Sequence, residues 1–76
     1  MKLPRITGQR MCKIAVKTGF YQKRQKGSHS FWAHPDGRTT VIPIHPGKEL
    51  PIGMISKILK DMDMSVSEYL EHLKKS

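Results

Sequence analysis

Residues 20–44, FYQKRQKGSHSFWAHPDGRTTVIPI, decide the fold, because they hold three strand-like segments separated by two turn signals. Residues 26–28 are typical of a tight turn. In the second connection, Pro35 presets one turn residue and Gly37 supplies a positive φ. The pattern predicts three antiparallel strands, over residues 20–25, 29–34 and 39–44. Pro43 has no N–H to donate, so the third strand belongs at a sheet edge or has that position turned outward.

Helical spacing precedes the strands. The first predicted helix runs from Thr7, its N-cap, to Thr18, and Gly19 ends it in the left-handed conformation. Its apolar positions are Met11, Cys12, Ile14, Ala15 and Val16. Its basic residues, which we expect on the outer side, are Arg10, Lys13 and Lys17.

Two further helices are predicted after the strands. Pro51 suits the first turn of a helix, whose apolar stripe is Ile52, Ile55, Ile58, Leu59 and Met62. Ser65 and Glu68 form a capping box that opens a short last helix. Its inward positions are Val66, Tyr69, Leu70 and Leu73.

This order predicts an α+β protein with one domain over residues 1–76. A three-stranded antiparallel sheet is stable only when one face is covered, and the flanking amphipathic helices can cover the same face. The opposite face is then open to solvent or to a partner. The last helix is an addition to this α-β-β-β-α order.

The side-chain period of two predicts which strand residues share a face. In the first strand, Phe20, Gln22 and Arg24 fall on one side, and Tyr21, Lys23 and Gln25 on the other. In the second strand, Trp32 alternates with Phe31 and His29. Burial of Trp32 contributes most to so small a core, so we expect Trp32 beneath the helices and His29 on the open face, with Phe31 as the competing core residue.

Charge is the strongest compositional signal. The chain carries 14 Lys and Arg against six Asp and Glu, a net charge of +8. Residues 1–48 hold ten of the basic residues and a single acid, Asp36, a net charge of +9, whereas residues 49–76 hold four basic residues and five acids, a net charge of −1. Such a field favours a polyanion, and nucleic acid above all. No apolar run is long enough to span a membrane, and the single Cys12 fits a reducing cytoplasm, so the sequence predicts a cytoplasmic protein without leader or anchor.

His29 is the candidate catalytic residue, because its neighbours suit phosphate. Arg24, Lys26 and Lys48 are the predicted phosphate-holding cations. Gly27 lets the backbone approach a ligand closely, and Ser28 adds a hydroxyl donor. An imidazole can withdraw the proton of a ribose 2′-OH near neutral pH, while the cations stabilise the charge that develops on phosphorus. This chemistry selects RNA, because DNA lacks the hydroxyl.

A metal site is the alternative use of the histidines. The candidates are His29, His34, His45 and His72, whose spacings match no common zinc pattern. Two-metal nuclease chemistry needs clustered carboxylates, which the basic part of the chain lacks. The sequence therefore predicts cleavage without a metal or another cofactor.

Two non-enzymatic functions fit the same charge. A double-stranded RNA-binding module would use Arg24, Lys26 and Lys48 to position the backbone and His29 as a mere contact. A protein-interaction domain would use the charge to bind an acidic partner. Both alternatives remain open at the level of residues.

Several motifs together resemble one known family. They are LPRITG at 3–8, GF at 19–20, RQKGSH at 24–29, HPDGR at 34–38, PIH at 43–45 and GKELPIG at 47–53. With these motifs the chain resembles the HicA (YcfA-like) mRNA interferase toxins of type II toxin–antitoxin systems.

The resemblance implies a double-stranded-RNA-binding-like fold and an mRNA endoribonuclease that arrests growth. It also implies a HicB-type antitoxin that covers the active histidine. The family's catalytic histidine, in its G-S-H motif, falls on His29, and this chain keeps Gly27 and Ser28 before it. The resemblance leaves the role of the tail, residues 65–76, open.

Overall fold

The computed structural model describes residues 3–75 of the chain. Met1 and Lys2, where the sequence predicts no leader, and Ser76, at the end of the predicted tail, lie outside the described residues. The elements are α1 (Gly8–Lys17), β1 (Tyr21–Lys26), β2 (His29–Ala33), β3 (Thr39–Pro43), α2 (Ile52–Asp61) and α3 (Val66–Lys75). This order confirms the predicted α+β fold. Within residues 3–75, no helix is long and apolar enough to cross a membrane.

The three strands form one antiparallel sheet in the order β1-β2-β3. Pro43 therefore lies on an edge strand, as its missing N–H predicts. Trp32 and Ile42 are buried on the face that the helices cover, which we call the inner face. His29 is exposed on the opposite, outer face, so the predicted orientation of β2 is confirmed.

The predicted alternation along β1 is wrong, because the strand is irregular at Lys23. Gln22 pairs with Trp32, but the next paired residue, Arg24, lies opposite Phe31. The skipped residue reverses the alternation, so Gln22 and Arg24 do not share a face. Lys26 belongs to the strand and not to the turn. All six residues of β1 are exposed, and the strand forms the free edge of the sheet.

The ends of α1 follow the sequence, but two of its side chains do not. Thr7 Oγ1 accepts the N–H of Arg10 at 3.2 Å, and Gly19 has a φ of +95°. Arg10 is not an outward cation, because its Nη2 donates to the Leu73 carbonyl near the end of α3 at 3.0 Å. Val16 is 60% exposed and is not a core residue.

Gly8 lets α1 approach the end of β3 closely. A Cβ built on Gly8 would lie 2.1 Å from the Pro43 carbonyl oxygen and 3.1 Å from the Ile44 Cα. Real Cβ atoms do not come so near to backbone, so every larger residue would force the helix away from the sheet. Thr7, just before the helix, also forms an isolated antiparallel bridge with Glu49.

The C-terminal helices close the core. In α2, Ile55, Ile58 and Leu59 are buried, but Ile52 is 45% exposed and lies outside the predicted stripe. The capping box is confirmed, because Ser65 Oγ accepts the Glu68 N–H at 3.1 Å. With ten residues, α3 is as long as α1 and α2, and not the short addition that the sequence predicts.

Candidate active site

His29 points outward because the next residues fix β2 from the inside. Ser30 Oγ donates to the Ile42 carbonyl at 2.7 Å and accepts the Trp32 indole N–H at 2.9 Å. A buried hydroxyl that is bonded in this way resists rotation of the strand. Because successive side chains alternate, inward Ser30 and Trp32 require outward His29 and Phe31.

Two cations share the outer face with His29. Lys26 lies directly opposite His29 in the β1–β2 pair, and Arg24 lies opposite Phe31. Residues that face each other in an antiparallel pair project to the same side of the sheet. The Arg24 guanidinium carbon lies 4.8 Å from the centroid of the Phe31 ring. The irregularity at Lys23 thus brings Arg24 and Lys26 to the side of the imidazole.

The connection between β1 and β2 is open to a ligand. Gly27 has a φ of +59°, and a Cβ built there would meet nothing within 4 Å. The left-handed φ explains the glycine, and the free space above it permits a close backbone approach. The Ser28 carbonyl accepts the Ile44 N–H at 2.7 Å, which ties this turn to the end of β3.

Lys48 lies in the loop after β3, and its neighbour Glu49 is connected to β3 through the start of α1. Pro43 pairs with His29, and Gly8 lies against the Pro43 carbonyl. Thr7, next to Gly8, bridges to Glu49, the neighbour of Lys48. Lys48 is exposed there, although no described hydrogen bond or ion pair joins its side chain to His29.

Five of the predicted site residues therefore gather on one surface, which we call the His29 face: His29, Arg24, Lys26, Gly27 and Ser28. Lys48 is exposed in the loop after β3, and no described contact brings it to this surface. Arg24 and Lys26 can hold phosphate oxygens, and the exposed imidazole can exchange a proton with a bound group. In the described part of the chain, no group of three His, Cys, Asp or Glu residues is placed to hold a metal ion.

The HPDGR motif at residues 34–38 lies at the other end of β2 and has a structural role. Arg38 Nε donates to Asp36 at 2.8 Å, and Arg38 Nη1 donates to the Met62 carbonyl at the end of α2. The Arg38 guanidinium lies over the Phe20 ring at 5.1 Å, and the His34 ring meets Phe20 edge-on. The hydrogen bonds from Arg38 lower the pKa of the Asp36 carboxyl.

His34 is held within this motif. Its Nδ1 lies 3.1 Å from the Asp36 nitrogen and 3.0 Å from Asp36 Oδ1. A Cβ on Gly19 would come within 2.9 Å of His34 Nε2. The ring is thus packed into the hairpin connection and lies away from the His29 face.

A concavity of about 550 Å³ adjoins the His29 face, and the sequence does not predict it. Its lining includes Arg24, Phe31, Thr39, Val41, Lys57 and Asp61. A local signal for such a site is a basic residue, Arg24, that pairs with an aromatic residue, Phe31, on the neighbouring strand. Lys57 and Asp61 belong to α2, so only the folded chain brings them to these strands.

A comparison of the sequence with models of known protein families identifies the family of the chain. Residues 8–64 match the model of a family described as the HicA toxin of bacterial toxin–antitoxin systems. The matched segment runs from the start of α1 to two residues before α3 and includes His29, Arg24, Lys26 and Lys48. A search of curated proteins finds no match.

Proposed function

Because the chain belongs to the HicA toxin family and is thus a toxin of a toxin–antitoxin system, we propose that it is a metal-independent endoribonuclease that cleaves mRNA. The observation that carries the proposal is the exposed His29 imidazole beside Lys26 and Arg24 on the open face of the sheet. A group that accepts a proton next to groups that hold phosphate is the minimum that this reaction requires.

In the proposed reaction, His29 acts as general base. It withdraws the proton of a ribose 2′-OH, and the resulting oxygen attacks the adjacent phosphorus. The bond from phosphorus to the 5′-oxygen breaks, which leaves a 2′,3′-cyclic phosphate on one fragment and a 5′-OH on the other. The departing oxygen takes a proton from the imidazolium, and Ser28, Lys26 or water are the alternative general acids.

The cations stabilise the negative charge that develops on the phosphate during the reaction. Lys26 and Arg24 hold the phosphate and stabilise the negative charge that grows on its oxygens. Lys48 extends the positive surface along the RNA backbone. Gly27 and Ser28 allow the phosphate to approach the turn, with Ser28 Oγ as an additional donor.

The test is cleavage of RNA by the wild type and by His29→Ala, both in EDTA. We expect the substitution to lower the cleavage rate roughly 10²–10⁴-fold, the usual contribution of a general base. His72→Ala is the matched control, because it removes a histidine on α3, outside the His29 face. DNA of the same sequence should stay intact.

The outcomes separate the alternatives. Equal cleavage by wild type and His29→Ala would remove His29 from the mechanism. Loss of wild-type cleavage in EDTA would contradict metal independence. Tight RNA binding without any product would favour the non-catalytic RNA-binding module.

We further propose a HicB-type antitoxin as the partner and the cytoplasm as the site of action. The antitoxin would neutralise the toxin by covering His29, and its contact surface would be acidic to match Arg24 and Lys26. Addition of purified antitoxin should then stop RNA cleavage and RNA binding together. A complex that still cleaves RNA at the free toxin's rate would exclude occlusion.

A further inference from the structure

The concavity beside Phe31 has the size and chemistry of a ligand site. Its volume of about 550 Å³ falls within the ~300–1,000 Å³ typical of small-molecule pockets. Phe31 and Val41, which face each other across β2 and β3, provide apolar surface. Arg24 provides positive charge, Thr39 adds a hydroxyl, and the ammonium of Lys57 is paired with the Asp61 carboxylate in the same lining.

The concavity shares Arg24 with the His29 face, although its lining also includes the inward residues Trp32 and Thr40. Phe31 and His29 lie two residues apart on the same side of β2, which corresponds to about 7 Å along a strand. Arg24 belongs to both places, because it lies over the Phe31 ring and beside Lys26. A chain bound at His29 by its phosphate would place its next unit in the concavity.

Contacts within the fold hold the far side of the concavity in place. Asp61 Oδ2 accepts hydrogen bonds from Lys57 Nζ and from Thr40 Oγ1, each at 3.1 Å. The bond from Thr40 joins β3 to α2, whereas the Lys57–Asp61 ion pair lies within α2.

We propose that this concavity binds one nucleoside of the RNA, next to the bond that is cleaved, with its base against the Phe31–Arg24 pair. The inference rests on the proposed ribonuclease function and specifies its substrate. Bases stack on aromatic rings and on guanidinium planes only when they are unpaired. The substrate at the cleavage point is therefore single-stranded RNA, in contrast to the duplex that a double-stranded-RNA-binding-like fold implies.

The direct test uses ligands that cannot be cleaved. Amide shifts of the ¹⁵N-labelled full chain are followed while a ribonucleoside 5′-monophosphate is added, and in parallel while inorganic phosphate is added. We expect the nucleotide to shift Phe31, Thr39 and Val41, and phosphate to leave these three unchanged. Identical shifts with nucleotide and phosphate would overturn the proposal.

A second test measures how much the neighbouring base contributes to kcat/KM for cleavage. The substrate is a DNA strand with a single ribose, in which the neighbouring base is present or replaced by an abasic site. Stacking contributes ~1–3 kcal/mol per base, so loss of the base should lower kcat/KM by about 5- to 150-fold. In Phe31→Leu, which keeps apolar volume beside Val41, this penalty should disappear.

Tyr21→Leu is the matched control, because Tyr21 is a 52% exposed aromatic residue of the sheet outside the concavity. It should keep the full abasic penalty. A penalty that survives in Phe31→Leu would overturn the proposal.

The two proposals fail in different ways. Nucleotide-induced shifts at Phe31 together with cleavage that ignores His29→Ala would overturn the general-base mechanism and support the nucleoside site. His29-dependent cleavage without nucleotide-specific shifts would support the mechanism and overturn the nucleoside site.

Discussion

At the scale of single residues, the sequence predicts orientation better than it predicts close packing. Alternation leaves either Trp32 or Phe31 inward, and the greater size of Trp32 favours its burial and the exposure of His29. The requirement for glycine at position 8 cannot be predicted in this way, because the Pro43 carbonyl that excludes a larger side chain lies 35 positions away in the sequence. The irregularity at Lys23 is equally hidden, since no glycine or proline marks it.

Gly8→Ala should destabilise the protein strongly. The new methyl group would meet backbone atoms, which cannot move aside as a side chain can, so we expect a loss of about 2 kcal/mol or more in the free energy of unfolding. Urea denaturation measures it. Gly53→Ala is the control, because a Cβ there meets nothing within 4 Å. It should stabilise α2 by ~0.4–1 kcal/mol, and equal effects of the two variants would contradict the packing described for Gly8.

Asp36 should make folding sensitive to acid. Its pKa is lowered in the folded chain by the Arg38 hydrogen bonds, so its contribution is present above the ordinary aspartate pKa of 3.8. That contribution is lost as the pH falls below this value through the folded-state pKa. Asp36→Asn should therefore lower Tm at pH 7 and reduce the fall in Tm between pH 5 and pH 2.

Thermal melts across this pH range measure the effect of Asp36→Asn. Asp63→Asn removes the same charge from an exposed residue that lacks the Arg38 contact, and it should keep the wild-type fall in Tm. A fall in Asp36→Asn as steep as that of the wild type would show that the Arg38 pair does not stabilise the hairpin.

At the scale of elements, the helices and strands could be predicted with small errors at their ends, whereas the place of α3 could not. Periodicity identifies the inward face of α3 but not the element against which it packs. Tyr69 is fully buried in the common core, and its hydroxyl donates to the Pro4 carbonyl. Arg10 of α1 donates to the Leu73 carbonyl. The third helix therefore packs against the N-terminal segment and α1, although it lies beyond the family match.

Tyr69→Phe should cost about 0.5–1.5 kcal/mol, the net value of one hydrogen bond. Burial raises the pKa of the Tyr69 hydroxyl above its ordinary value of 10.0. Its contribution is therefore complete below pH 10 and is lost as the pH rises through the folded-state pKa. Urea melts at pH 7 and pH 10.5 should show a smaller alkaline loss of stability in Tyr69→Phe than in the wild type.

Tyr21→Phe provides the comparison for Tyr69→Phe, because Tyr21 is 52% exposed. It should change stability by less than about 0.5 kcal/mol at pH 7. If Tyr69→Phe behaves in the same way, α3 does not depend on its bond to Pro4.

At the scale of the whole molecule, composition predicts a polyanionic partner but not the shape that receives it. The net charge of +8 and its concentration in residues 1–48 can be read directly. The His29 face could be assembled from strand pairing, whereas the concavity needs Lys57 and Asp61 from a helix that follows later in the chain. Local sequence patterns do not predict where α2 packs against the strands.

RNA affinity should fall steeply with salt, and Lys26 should account for part of the slope. For single strands, log K falls by about 0.7 per phosphate contact for each unit of log salt concentration. Lys26→Ala should therefore reduce the slope by roughly 0.7 relative to the parent protein, measured on an inactive His29→Ala background. Lys60→Ala, on an exposed position of α2 outside the His29 face, should leave it unchanged. Equal slopes in all three proteins would remove Lys26 from the interface.

The free edge formed by β1 also bears on how copies of the chain behave when crowded together. An edge strand has unpaired N–H and C=O groups, which can pair with the edge strand of another chain and so start aggregation. In this chain the edge strand is positively charged, through Lys23, Arg24 and Lys26, so two copies of it repel each other. The irregularity at Lys23 also interrupts the regular hydrogen-bonding pattern that such pairing needs. The charge on this edge therefore opposes pairing between the β1 strands of two copies of the chain.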